Sequence, residues 1–214
     1  MTIWTYLDRR WPEVLGFTLE HTLLVAIAVG IATALGVGLG TLVYRSRQAT
    51  SAMLVVTSSA FTVPALAYFG ILVFLVGLGF TPSVIVLTIY ALLPIARNTV
   101  TGLREVDPAA VRSAQGMGMS RLQRLARIEL PLAWPVILAG MRVATVMTVG
   151  IAAIAAWVGG PGLGAEIFGG LAALGSARAV PQALVGTVGV IVVAFALDGL
   201  LVGVGKLTTS KGLR

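Results

Sequence analysis

Between Ala49 and Ala96 the chain carries no ionised side chain. A helix that crosses a bilayer needs roughly 20 apolar residues, so this run is too long for one crossing and holds two. Three further runs share the property: Thr22 to Tyr44, Val143 to Ala165 and Ala179 to Leu197. Soluble domains carry about 25% charged residues; here the share is 11%, against 57% hydrophobic. A water-facing surface cannot be made from what remains. The chain therefore reads as an all-α integral membrane protein of about five transmembrane helices.

The breakers place the spans. Span one is expected over Thr18 to Tyr44, where Gly36, Gly38 and Gly40 allow close helix approach in lipid. Span two covers Ser51 to Leu78 with Pro64 inside it; proline kinks a spanning helix and frees a carbonyl that neighbours must satisfy. Span three covers Ser83 to Leu103 and is interrupted by Pro94. Span four runs from Leu130 to Val158, with Pro131 suited to its first turn, and the Gly159 to Gly164 segment stops it. Span five is Val180 to Gly205. Residues 1–17 read as an interfacial segment, because Trp4, Leu7, Trp11 and Val14 share a helical face and Trp favours the headgroup layer. Pro12 sits inside that stretch, where it breaks or bends a helix. Ala165 to Leu174 either lies along the membrane or re-enters it. Residues 18–205 then form one transmembrane domain, including a polar stretch at 104–129, and 206–214 form a tail.

Charge sets the orientation. The net charge is +7. Arg45, Arg47, Arg104, Arg112, Arg121, Arg124, Arg127, Lys206, Lys211 and Arg214 fall on one side of the spans. Arg9, Arg10 and Arg178 fall on the other, and Arg97 and Arg142 lie within spans. The positive-inside rule makes the richer side cytoplasmic. The expectation is a multi-pass protein of a bacterial or archaeal cytoplasmic (inner) membrane, N-terminus outside and C-terminus cytoplasmic. Cations clustered between apolar runs suit anionic lipid and not nucleic acid. The chain has no cysteine, and its single histidine, His21, cannot build a metal site alone. His21 and Glu20 read as interfacial residues at the outer end of span one. No secretory signal is apparent, since the apolar run after Arg10 exceeds an h-region of roughly 7–15 residues.

Charges inside spans pair or line a cavity. Arg142 lies about 16 Å along its helix from Pro131, and Asp198 about 12 Å from Lys206, at ~1.5 Å per residue. Both fall in the cytoplasmic half, which makes an Arg142–Asp198 pair possible; separate partners such as Glu105 or Asp107, or snorkelling, are the alternatives. Thr62, Pro64, Tyr68, Tyr90 and Asn98 are candidates to line a path. An aromatic face attracts a quaternary ammonium by cation–π contact, and core packing is the competing account of the two tyrosines.

The stretch from Asp107 to Pro135 reads DPAAVRSAQGMGMSRLQRLARIELPLAWP. Pro108 is placed to start a short helix running to about Gln115, and Gly116-Met117-Gly118 to end it. This segment resembles the signature loop of bacterial ABC-importer permeases: Glu-Ala-Ala, three residues, Gly, nine residues, Ile, one residue, Leu-Pro. The frame here is Arg112-Ser113-Ala114, Gly118, Ile128, Leu130 and Pro131. Arg112 stands where the pattern has Glu, and Ser113 where it has Ala. The phrases GMGMSRLQRLARIELPLAWPVILAGMRVAT, GGPGLGAEIFGGL, VPALAYFGILVFLVGLG and LPIARNTVTGLREVDP are similar to permeases of osmoprotectant importers.

The resemblance implies the type I ABC-importer permease fold with a cytoplasmic coupling helix between spans three and four. It implies a solute pathway for quaternary ammonium compounds such as glycine betaine, choline or carnitine. It further implies a second permease chain (identical or paralogous), two ATPase subunits and an extracytoplasmic solute-binding protein, with ATP and Mg on the ATPase and no cofactor on this chain. ATPase coupling would fall to Asp107, Ala110, Val111, Arg112, Ser113, Ala114, Gln115, Gly116, Met117, Gly118, Met119 and Ser120. The reversed charge at Arg112 alters the contact offered to the ATPase. Other accounts are a permease for another small solute such as an amino acid, an intramembrane lipid-modifying enzyme, or an assembly factor with a solvated connector at 104–129. No nucleophile–base set or paired carboxylates are evident, and GGPGLG lacks the Lys-Ser/Thr of a phosphate loop.

Overall fold

The computed structural model describes residues 1–209 and is helical from end to end, without a strand among them. The tail residues Lys211 and Arg214 lie outside the described residues. Helix α1 spans Ile3–Val43, capped by Thr2, whose hydroxyl accepts from the Thr5 amide at 3.2 Å. The helix is broken by a kink at Arg10 (φ −124°, ψ 16°), two residues before Pro12, so that Ile3 to Arg9 form a short helical stretch ahead of the long one. The bend parts the expected tryptophan face. Trp4 and Trp11 are exposed, whereas Val14 is buried with Tyr6 against Val185.

Span two is broken and not merely kinked. Helices α2 (Arg47–Thr62) and α3 (Ala65–Val76) meet at Val63-Pro64 with a bend of 91°. Pro64 cannot donate to the Ala60 carbonyl, and the Tyr68 hydroxyl does so instead at 2.8 Å. The Val63 carbonyl, cut off from the next helix, accepts from the Tyr90 hydroxyl. The chain then turns at Gly77 and Gly79, both left-handed, into α4 (Phe80–Glu105).

After a short helix α5 (Pro108–Gly116), helix α6 (Arg121–Arg124) passes through a π turn at Leu125–Glu129 directly into α7 (Leu130–Ile154). The α-helix of span four begins at Leu130 as expected, but it is continuous with the π turn and α6, so the helical stretch as a whole starts at Arg121. Pro131 leaves the Arg127 carbonyl without its helical donor, and Arg127 lies within the π turn, where the Leu130 amide reaches back to Leu125. A 3₁₀ turn at Ala155–Val158 ends this span. Helix α8 (Gly164–Ala172) packs on α9 (Ala179–Thr208). At nine residues α8 is about 13 Å long, too short to cross a bilayer. Among the described residues, four helices are long and apolar enough to cross, or five when α2 and α3 count as one broken span.

Helix α4 is the centre of the bundle, packed between α1 and α7. The approach is close because small residues line the crossings. A β-carbon at Gly36 would lie 2.8 Å from Ile95, and one at Gly140 would lie 2.6 Å from Asn98 Cβ. Gly38, by contrast, meets nothing within 4 Å.

His21, expected among the residues at the outer end of span one, has no exposed surface. It is fully buried within the protein, with Nε2 3.1 Å from the Val149 carbonyl. The glycine segment after span four roofs it, since a β-carbon on Gly162 would lie 2.8 Å from the ring.

Candidate functional site

Helix α5 is short and held by both ends. Asp107 caps it, accepting from the Ala109 amide at 2.7 Å, and Pro108 occupies its first turn. At its other end Gly118 adopts φ +79°, with its amide bonded to the Gln115 carbonyl and that of Met119 to Ala114. Gly116 remains in the helix with no left-handed backbone, so the turn rests on Gly118 alone. Ser120 then caps α6 in a reciprocal capping box with Gln123.

The residues of α5 divide by face. Ala114 is 1% exposed, and Val111 packs on a cluster of Val100, Leu103, Val106, Ala133 and Ile137. Ala110 and Met119 are half-buried. Arg112, Ser113, Gln115, Gly116 and Met117 face outward. Ala109, Ser113 and Gly116 are the exposed small residues of the helix, and Ala114 serves the chain's own packing. Arg112 makes no ion pair among the described residues.

Beside α5 lies a cluster that sequence reasoning missed. Glu129, 3% exposed in the π turn, accepts from the Tyr44 hydroxyl and pairs with Arg45 at 2.9 Å. Arg104, near the end of α4, donates to the Tyr44 carbonyl and to Thr50 Oγ1, both at 2.8 Å. Each cation had been read only as an orientation charge. The available signal was Glu129 itself, an acid abutting an apolar run, which needs a partner. A second missed cluster lies at the opposite end, where buried Glu166 accepts from the Tyr6 hydroxyl and Arg10 donates to the same hydroxyl oxygen at 3.1 Å.

The candidate path residues do not converge. Thr62 and Pro64 are exposed at the broken span. Tyr68 and Tyr90 are edge to face at 6.0 Å, with hydroxyls spent on the freed carbonyls. Asn98 sits in the α4–α7 crossing and bonds its own helix at Pro94. Arg142 and Asp198 do meet, in a two-pronged pair of 2.7 and 2.8 Å between α7 and α9. The pair is not enclosed: its side chains are 42% and 26% exposed, beside a cleft of about 630 Å³ lined by Ala139, Val143, Val146 and Met147. No cluster of three or more metal-ligating side chains occurs among the described residues.

Residues 26–208 match the family described as the binding-protein-dependent transport system inner membrane component. The chain belongs to this family of ABC-importer permeases. It is a transport subunit and a multi-pass inner-membrane protein. Among relatives of this permease, the osmoprotectant import permease protein OsmW of Salmonella typhimurium is 37% identical, covering 92% of each chain. The glycine betaine/carnitine/choline transport system permease protein OpuCB of Bacillus subtilis is 34% identical, over 98% of this chain and 95% of its own. The permease also shares its fold with a chain of the MetNI methionine ABC transporter, at a TM-score of 0.79 and 18% identity, covering 92% of this chain and 96% of that one. That likeness fixes the type I importer architecture. Membership of the family implies ATPase and solute-binding partners.

Proposed function

We propose that this permease forms the solute pathway for quaternary ammonium osmoprotectants such as glycine betaine, choline or carnitine, driven by ATP hydrolysis on a partner chain. The observation that carries the solute class is the likeness, over more than nine-tenths of the chain, to permeases named for osmoprotectant and for glycine betaine, carnitine and choline transport. The outward face of α5 supports the coupling role. It is a rigid, capped projection whose exposed small residues, Ala109, Ser113 and Gly116, suit insertion into a groove of a soluble ATPase. ATP and Mg belong to that ATPase.

The active assembly is two permease chains, two ATPases and an extracytoplasmic binding protein. A half-exposed ion pair is costly against lipid, so the face carrying Arg142 and Asp198 turns toward the second permease and the pathway. Orientation follows from charge: α5 with Arg45, Arg104, Arg121, Arg124 and Arg127 is cytoplasmic, and the bend at Arg10 is outside.

The test is uptake into proteoliposomes holding the complete transporter with its binding protein. Radiolabelled glycine betaine, choline and carnitine are compared with methionine and glutamine. ATP-dependent accumulation of at least one quaternary ammonium compound is expected; accumulation of amino acids alone would overturn the solute assignment.

A further inference from the structure

Both ends of the segment that carries α5 are fastened to one residue, Tyr44, at the corner between α1 and α2. On the upstream side, Arg104 of α4 grips the Tyr44 carbonyl through Nε at 2.8 Å. Its Nη2 holds Thr50, whose hydroxyl in turn donates to the Val43 carbonyl at 2.9 Å. On the downstream side, Glu129 of the π turn accepts from the Tyr44 hydroxyl. Arg45 closes the ring, donating through Nε to the same hydroxyl oxygen at 2.6 Å and through Nη2 to Glu129 at 2.9 Å. The Tyr44 ring lies in the apolar cluster on which Val111 of α5 packs. Tyr44, Thr50 and Glu129 are all buried.

We infer that Tyr44 is a positioning residue for coupling: it passes displacement of α5 to the α1–α2 corner, so that the broken second span moves with spans three and four. The physical reason is the geometry of attachment. Along the chain, α5 is joined only to spans three and four. Here the exit of one and the entry of the other are both bonded to a third point, through groups that are expensive to separate once buried. The π turn is a natural place for such a joint, because its wide hydrogen-bond spacing departs from the regular helix. Displacement of α5 relative to Tyr44 must then either break a buried charge-assisted bond or carry the corner along. This inference rests on the coupling role given to α5 above.

The experiment reconstitutes the complete transporter and measures solute accumulated per ATP hydrolysed. The label is glycine betaine, choline or carnitine, whichever the wild type takes up fastest. Tyr44→Phe keeps the ring and removes the hydroxyl; Glu129→Gln keeps the shape and removes the charge. Each is expected to lower accumulation per ATP about tenfold, the effect on a two-state balance of losing one charge-assisted hydrogen bond, while the ATPase still binds and hydrolyses. The double variant is expected to lose no more than the worse single one, since both cut one link. Trp134→Phe serves as the control: it keeps an aromatic ring against the same apolar cluster and removes only the 2.7 Å bond to Thr208, which is no part of the hydrogen-bonded ring around Tyr44, and the ratio is expected to hold. A wild-type ratio in both Tyr44→Phe and Glu129→Gln would overturn the inference and leave the permease reading intact. Failure of both to assemble while Trp134→Phe assembles would make the junction a folding element only and equally overturn it. Absence of ATP-driven uptake in the wild type would overturn both readings.

Discussion

Gly118 shows how much one backbone angle carries. Its φ of +79° closes α5, and a β-carbon there would meet nothing within 4 Å. Substitution is therefore resisted by conformation and not by bulk. A side chain in the left-handed region costs roughly 1–2 kcal/mol, with Asn the tolerant exception. Gly118→Val is expected to reach the membrane yet to lose ATPase copurification and uptake together, whereas Gly118→Asn stays near wild type. Equal loss in both variants would point to contact with a partner and not to the turn. Gly140 is the opposite case, an ordinary helical position with no room, where a β-carbon would lie 2.6 Å from Asn98 Cβ and 2.8 Å from the Pro94 carbonyl. Gly140→Leu is expected to destabilise the α4–α7 crossing by at least the 1–3 kcal/mol typical of overpacking, read as a lower melting temperature in detergent.

At the scale of elements, the broken second span depends on two tyrosines. Tyr90 is 6% exposed and donates to the Val63 carbonyl. Tyr90→Phe leaves that part-buried carbonyl without its protein donor, at a cost toward the lower end of about 1–3 kcal/mol. A lower melting temperature with unchanged apparent affinity for solute is expected; a weakened affinity at unchanged stability would restore the cation–π account. The proline at 64 was legible in the sequence, as was the need to satisfy a freed carbonyl. The right-angle bend was not, because its size depends on where α3 finds packing against α4. The same limit applies to span four. Pro131 is a fair signal for a first turn, yet the helix runs through it because a π turn absorbs the missing donor. The Asp107 cap and the choice of Gly118 for the turn emerge only in the structure, whereas the helix from Pro108 and its stop within Gly116-Met117-Gly118 depend on local chemistry and were legible. His21, Glu129 and Glu166 were not: each is a polar residue whose partner lies far along the chain, and no local pattern announces a burial made by tertiary contact.

For the whole molecule, charge asymmetry gives an orientation that labelling can test. The chain has no cysteine, so single cysteines report cleanly. Ser176 lies exposed between α8 and α9, and Ser113 on the outward face of α5. Ser176→Cys is expected to react only from outside and Ser113→Cys only from the cytosol; the reverse pattern would invert the topology. Large apolar side chains on α3 and α9 face outward, including Phe74 and Phe195, as lipid or a second permease requires. The Arg142–Asp198 pair stands out on such a surface. Removing one partner strands a charge, so Arg142→Leu or Asp198→Leu alone is expected to reduce assembled transporter more than the two together.

The central claim, that this permease couples solute passage to ATP hydrolysis through α5, is tested most directly by solute-stimulated ATPase activity of the reconstituted complex, with uptake followed in the same vesicles. In the wild type, hydrolysis is expected to rise when the binding protein is loaded with glycine betaine, choline or carnitine, and accumulation to rise with it. Ser113→Trp, a bulky change on the exposed face of α5, is expected to lower both while leaving the permease folded in the membrane. Stimulated hydrolysis and full uptake in Ser113→Trp would show that α5 is only a connector, and uptake that proceeds without ATP would contradict the account altogether.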